Sequence, residues 1–449
     1  MGIIRKAYGN AVVLKAAFQS RGVAYATPEK LRRMRDRRVR WLVRYAARTV
    51  PHYREFFNEQ GIDPRDIHGA GDLSDLPLLD KAMVAEDPAR FRSQSHHGRR
   101  ALQFRTSGST GEPLDIYHDR RSVLENIAYS APERAVTTVY LGHGFTHRTL
   151  RINRGSSTLG EVQAFCAANT LIPGKPQRHR VDVTAQPGEV IERVRELRPE
   201  ILGGYGAYLE LLFRYLQAND IEMPLPRLIS YGAEGMTLSG RRLITEKFGI
   251  PVVANYSAVE CFKIGFQCGR GPHYHIHEDL CHLRIVGRDG RDQAPGGVGN
   301  VVVTNLVNRG MVLLNYRLGD VAALGDRDCA CGRTLVCMTG LQGRKLDAIV
   351  MPGGSFIHAG AVWSVLARSS GVVRYQLIQQ ALDRFEVKLV TVDGEAYERF
   401  KTEAVPELQA LFGPSAQISV TRHEQILPGS SGKFRPIMSK CRRDANDDL

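Results

Sequence analysis

Across residues 1–95 the apolar positions return every third or fourth residue and short polar turns separate the runs, which predicts helices. In "KLRRMRDRRVRWLVRYAARTVPHYR", Lys30 to Arg54, the residues Leu31, Met34, Trp41, Leu42 and Tyr45 share one helical face and arginines fill the other. From about Arg99 to Gly343 the pattern changes. Strand-like runs such as "RTLRIN", "ILGGY", "RLISYG", "VVANYS", "HLRIV" and "NVVVTNLV" now alternate with helical stretches such as "PGEVIERVREL" and "AYLELLFRYLQAN". That alternation predicts an α/β core with a largely parallel sheet. Turn signals at "GRDG" and "APGGVGN" mark off a smaller antiparallel β unit. After "GRKLDAIVMPGGSFI" the order helix, hairpin, helix, strand predicts a small lid-like α+β domain.

Composition narrows the classes. With 449 residues, 43% hydrophobic and 24% charged, the chain reads as a soluble globular protein of two or three domains. No run approaches the roughly 18 apolar residues of a membrane span. The opening "MGIIRKAYGNAVVLKAAFQSRG" is broken by Lys15 and lacks a small-residue cleavage site, so no secretory signal is expected. Lys6 stands where a myristoylation motif wants Ser or Thr. Eight cysteines in so long a chain suit reduced thiols in the cytoplasm, some of them on a metal. The net charge of +14 raises nucleic acid as a partner, yet no helix-turn-helix or zinc-finger spacing accompanies it. A solvated arginine face is the simpler reading. An anionic small molecule or an acidic carrier protein explains the charge as well, and nucleic acid ranks last.

Candidate chemistry begins at "FRTSGSTGEPLDIY", Phe104 to Tyr117. Its Gly, Ser and Thr residues form either a surface turn or a cradle whose backbone N–H groups and hydroxyls meet an anion. It is no Walker A motif, since no lysine follows Gly111. Behind it come "SYGAEGM", "NYSAVE", "NYRLGD", "GRKLD" and "GSSGKFR", in that order. "CGRGPHYHIHEDLC" carries Cys268, His273, His275, His277 and Cys281, and "DCACGR" carries Cys329 and Cys331. Thiolate and imidazole together suit tetrahedral zinc, although reduced thiols in a turn beside surface histidines remain the alternative.

With "VPHYREFF", "LPLLDKAMV" and "RPEILGGYGAYLELL", these segments make the chain resemble the adenylate-forming (AMP-binding) enzymes, in their phenylacetate–CoA ligase-like branch. The resemblance runs over nearly the whole chain. It implies a large N-terminal α/β domain with parallel sheets and a small β unit over 1–346, of which 1–95 is a mainly helical entry segment. A small mobile α+β domain over 347–449 would turn about a hinge at Asp347. Thr106, Ser107, Gly108, Ser109, Thr110 and Gly111 would wrap the ATP phosphates. Gly232, Ala233, Glu234, Tyr256, Ser257, Asp320 and Arg344 would complete the nucleotide site, with Tyr256 on adenine and Asp320 on the ribose. Glu260 would hold Mg²⁺ and Lys433 would serve the transition state, these two being the catalytic assignments. Tyr205, Gly206, Tyr231 and Gly232 would line the acid pocket. Cys268, His275, Cys329 and Cys331 would close a structural Zn²⁺ site. Ser257, Val259 and Met351-Pro352 depart from the family pattern.

The implied activity uses ATP and Mg²⁺ to convert a carboxylic acid into an acyl-adenylate, releasing pyrophosphate, before an acceptor displaces AMP. Coenzyme A is the first acceptor. An amine or amino acid in an amide synthetase, or a carrier protein, is the rival, and a non-catalytic nucleotide-binding or partner-binding relative stands beside both. A homodimer is among the expected partners.

Overall fold

The computed structural model describes residues 2–96, 101–106, 113–144, 146–154, 157–171, 177–341, 349–352, 356–357, 359–366, 369, 371–427 and 434–441. The chain forms two compact units, each assembled from several stretches. One comprises Met1–Thr146, Ser156–Lys175 and Val253–Leu341. The other comprises His147–Gly155, Pro176–Val252 and Gln342–Leu449.

In the first unit the opening segment is helical, as its periodicity predicts. The arginine-rich helix is Pro28–Thr49, with Pro28 in its first turn and Thr27 accepting the Lys30 N–H at 3.3 Å. It stops before Pro51, which holds Val50 extended and opens the next helix, Pro51–Gln60. Leu42, Val43 and Ala46 pack with Tyr53, Phe57, Leu314 and Tyr316 in one core. Not all the arginines are solvated. Arg35 pairs with Glu278 at 3.2 Å, Arg38 donates to the Tyr129 hydroxyl and Arg40 donates to the His68 carbonyl. Arg32, Arg33, Arg37, Arg44 and Arg48 remain exposed.

Seven strands of this unit form an antiparallel series: Cys281–Val286, Val298–Asn305, Tyr316–Leu324, Cys337–Thr339, Tyr274–Ile276, Gly265–Phe266 and Val252–Tyr256. The expected small β unit is therefore larger than its turn signals suggested. The "LPLLDK" segment is tied to this series, since Leu79 accepts the Arg317 N–H at 2.8 Å and donates to the Asn315 carbonyl at 3.0 Å. The Tyr53 hydroxyl secures the same region, donating to the Val312 carbonyl and accepting the Leu314 N–H at 2.8 Å.

The second unit holds the parallel sheet that strand–helix alternation implied. Gln177–Val181, Arg148–Ile152, Ile201–Gly204 and Leu228–Gly232 lie side by side, all parallel. Helices Pro187–Leu197 and Gly206–Ala218 supply the crossovers. The same unit contains a four-stranded sheet ordered Gln417–Arg422, Arg384–Thr391, Val372–Ala381, Ile437–Ser439. Leu377, Val387 and Leu389 of that sheet pack against Phe400, Leu408 and Phe412 of helix Gly394–Phe412. Its hairpin, helices and strand Gln417–Arg422 follow the order read from the sequence, and strand Ile437–Ser439 is an addition to it.

Candidate active site

The strands on either side of the Gly/Ser/Thr-rich segment pair with each other. Ala101–Arg105 pairs antiparallel with Asp115–Asp119, Arg105 opposite Asp115. Thr106 closes the neck: its N–H donates to the Leu114 carbonyl at 2.9 Å, and its hydroxyl accepts the Leu114 N–H at 2.8 Å. Ser107, Gly108, Ser109, Thr110 and Gly111 lie outside the described residues, as do Arg344, Asp347 and Lys433.

The hairpin is joined to the "NYSAVE" segment by residues that sequence reasoning missed. Buried His118 brings Nε2 to 2.7 Å from the Val259 carbonyl, and its ring stacks on Phe262 with centroids 4.0 Å apart. Burial lowers the His118 pKa from 6.5 to about 4, so near neutral pH the ring is uncharged and Nε2–H donates. The Asn305 amide donates to the Glu260 carbonyl at 2.9 Å, while its oxygen accepts the N–H groups of Val307 and Asn308. Asn308 in turn donates to the Tyr117 carbonyl and accepts the Asp119 N–H. One turn, Asn305 to Arg309, thus holds both the hairpin and the backbone of Glu260.

Two of the expected nucleotide residues meet directly. The Tyr256 hydroxyl donates to Asp320 at 2.7 Å, and its ring lies edge-on to Tyr274. That bond fixes the orientation of the Asp320 carboxylate. Glu260 is half-buried and Ser257 exposed in the same segment. The Glu260 carboxylate is a hard oxygen donor, the type Mg²⁺ takes in ones and twos.

In the second unit the expected pocket residues gather at the carboxyl ends of parallel strands, where open α/β sheets bind ligands. Gly204 lies opposite Tyr231 in register, so Tyr205–Gly206 and Gly232–Ala233–Glu234 leave neighbouring strands together. Gly206 is required by close approach, since a Cβ there would sit 2.6 Å from the Gly235 carbonyl oxygen. Burial, then the nearby Glu234 carboxylate, raises the Tyr205 pKa and keeps that phenol neutral. Glu234 accepts the Phe434 N–H at 2.7 Å. The Phe434 ring lies beneath the Arg374 guanidinium at 3.8 Å. The residue after Lys433 is thereby anchored to the "YGAEG" segment, by partners 200 residues apart in sequence.

The cysteine–histidine constellation is sorted by geometry. Cys268, His275, Cys329 and Cys331 bring one ligand atom each within 4.8 Å of all the others. Cys268 Sγ lies 3.7 Å from Cys329 Sγ, and Cys331 Sγ lies 3.3 Å from His275 Nε2. A tetrahedron with metal–sulfur bonds of about 2.3 Å has sulfur–sulfur edges of about 3.8 Å, so the spacing fits zinc. His273 Nε2 also reaches Cys329 Sγ at 3.0 Å. His277 turns away to Glu133 at 3.2 Å, and the Cys281 thiol donates to the His277 carbonyl.

The chain is similar to several known proteins. The family model described as the CapK C-terminal domain matches residues 349–440. The phenylacetate-coenzyme A ligase of Thermus thermophilus is 27% identical over 383 residues, covering 80% of this chain and 81% of that protein. That of Aromatoleum evansii is 23% identical over 443 residues, covering 92% and 96%. A solved structure of 2-hydroxyisobutyryl-CoA ligase in the postadenylation state, in complex with R3-HIB-AMP, superposes with a TM-score of 0.75 at 16% identity, covering 93% and 91%. The fold is that of the adenylate-forming enzymes. Over most of its length the chain is similar to phenylacetate-coenzyme A ligases.

The His118 bond has a pH signature. Between about 6.5 and about 4 the unfolded imidazole binds a proton that the folded one refuses, so stability is lost as the pH drops through that window. Urea unfolding should show His118→Gln destabilised by about 1–3 kcal/mol at pH 7, with a shallower loss between pH 6.5 and pH 4. An unchanged slope in the variant would remove His118 from this role.

Proposed function

We propose that the chain activates a carboxylic acid with ATP and transfers the acyl group to coenzyme A. A carboxylate oxygen of the acid attacks the α-phosphorus, the bond to pyrophosphate breaks and an acyl-adenylate forms. The coenzyme A thiolate then attacks the acyl carbon and AMP leaves with the bonding electrons. The relatives named phenylacetate-coenzyme A ligase support this acceptor.

The observation that carries the reading is the Phe434–Glu234 hydrogen bond. It supports a role for Lys433 beside the "YGAEG" segment, where an ammonium would offset negative charge gathering on the α-phosphate. The hairpin loop, Ser107 to Gly111, would receive the terminal phosphates through backbone N–H groups and hydroxyls. Asp320, oriented by Tyr256, would accept the ribose hydroxyls, and Arg344 would stand nearby. Glu260 would hold Mg²⁺, which neutralises phosphate charge when bound. Residues 347–449 would act as a lid turning about Asp347, a boundary that the match over 349–440 supports.

The decisive assay measures acid-dependent pyrophosphate release with no acceptor, across a panel of aryl and alkyl acids. Coenzyme A, amines and a phosphopantetheinylated carrier protein are then added one class at a time. Lys433→Ala should cut acid-dependent release by about a hundredfold or more while ATP binding stays measurable. Activity that survives the change contradicts the assignment, and product formation only with an amine would make the chain an amide synthetase.

The reading extends to a structural zinc ion on Cys268, His275, Cys329 and Cys331. Cys268 and His275 follow a short strand and sit on a second one, and Cys329 and Cys331 belong to one turn, so a bound ion would pin that turn to the antiparallel series. Protein purified without a histidine tag should contain close to one zinc per chain, and Cys329→Ser should lose most of it. Less than about half an equivalent in the unaltered protein would count against the site.

A further inference from the structure

The helix Gly2–Gln19 is apolar on two opposite sides. Its inner side, Gly9, Val12 and Ala16, is buried against helices Arg120–Ala128 and Thr158–Asn169. The approach is close enough that a Cβ on Gly9 would sit 1.9 Å from the Asn169 carbonyl oxygen. Arg5 donates to the Ala168 carbonyl at 3.1 Å, and Asn10 accepts the Leu171 N–H at 2.9 Å. The helix is therefore held in place by one narrow edge.

At about 100° per residue, the face directly opposite carries Ile3, Leu14, Ala7, Phe18, Ala11 and Ile4 in angular order. Ile3, Ile4, Leu14 and Phe18 are 80%, 78%, 69% and 80% exposed. Tyr8 and Lys15 edge this face on one side, and Lys6 lies toward the other. A shallow depression beside it brings exposed Leu171 up to Ile3 and Ile4. Residues 1–28 contain Arg5, Lys6, Lys15 and Arg21 and no acidic residue.

An exposed helix with its apolar stripe turned straight outward is what an interfacial helix presents to a bilayer, rather than what a soluble surface helix shows to water. Charge decides among occupants. A second copy on the same face would bring lysine against lysine, whereas anionic headgroups would meet Lys6 and Lys15 as their aliphatic stems reach out of the apolar layer. We propose that the helix Gly2–Gln19 docks the protein on an anionic membrane surface, with Ile3, Ile4, Leu14 and Phe18 sunk at the headgroup–acyl boundary. No helix among the described residues is long and apolar enough to cross a membrane, so attachment would be to one leaflet.

Flotation of the full chain with vesicles tests this. Vesicles of equimolar phosphatidylcholine and phosphatidylglycerol should carry at least about ten times more protein than phosphatidylcholine alone, and added salt should reduce the difference. The double variant Leu14→Ser, Phe18→Ser should lose about tenfold or more of that binding with its circular dichroism and acid-dependent pyrophosphate release unchanged. Equal flotation by both vesicle types, or by variant and unaltered protein, overturns the proposal. So does a concentration-dependent dimer in sedimentation that the double variant converts to monomer without any lipid binding, since a second copy would then cover the face.

Discussion

The Asn305 carboxamide sets the geometry on which the first unit's candidate site depends. Its amide nitrogen holds the Glu260 carbonyl and its oxygen organises the turn that follows. From that turn Asn308 reaches Tyr117 and Asp119 on the hairpin, while His118 reaches back to Val259. The hairpin strands and the Glu260 backbone are thereby held at a fixed separation. Buried polar groups that would each cost about 1–3 kcal/mol if left unpaired supply that fixity, because every partner must be present at once.

Backbone strain falls in the same places. Ala233, Phe262 and Asn315 adopt left-handed conformations, with φ of 65°, 55° and 52°. They lie in or beside the segments "YGAEG", "NYSAVE" and "NYRLGD". Such a conformation costs a residue with a Cβ roughly 1–2 kcal/mol. Asn315 recovers part of this by donating to the Leu73 and Leu76 carbonyls, and Phe262 by stacking on His118. Ala233 has no comparable side chain, and its bend turns Glu234 toward the Phe434 N–H. Thr146, Arg198 and Asp220 are left-handed too, so such strain is not confined to the candidate site segments, but within them it can hold groups ready for a ligand.

Much of this was legible in the sequence, and the reasons are physical. Helical and strand periodicities survive translation into structure, so the parallel strands, the C-terminal hairpin and the arginine-rich helix all appear where the pattern put them. The motif segments were recognisable only through their resemblance to a known family, since each alone reads as an ordinary turn or strand end. The fastenings between segments were not legible. His118 and Val259 are 141 residues apart, and nothing local distinguishes a histidine that holds a carbonyl from any core histidine. Arg35, Arg38 and Arg40 looked like solvated charge until their partners, far along the chain, came into view. The interleaved make-up of the two units was hidden for the same reason, since contacts of long sequence separation leave no periodic trace. Of five residues in one cysteine–histidine segment, spacing alone singles out none; the resemblance pointed to Cys268 and His275, and the structure brings those two together with Cys329 and Cys331.

In the proposed reaction a carboxylate oxygen of the acid becomes bonded to the α-phosphorus of ATP. Heavy-oxygen labelling follows that atom. An accepted acid labelled in both carboxylate oxygens, turned over with ATP and coenzyme A, should yield AMP carrying one labelled oxygen, read by mass spectrometry, with pyrophosphate unlabelled. Label in inorganic phosphate with ADP as coproduct would show attack at the terminal phosphorus and contradict the account.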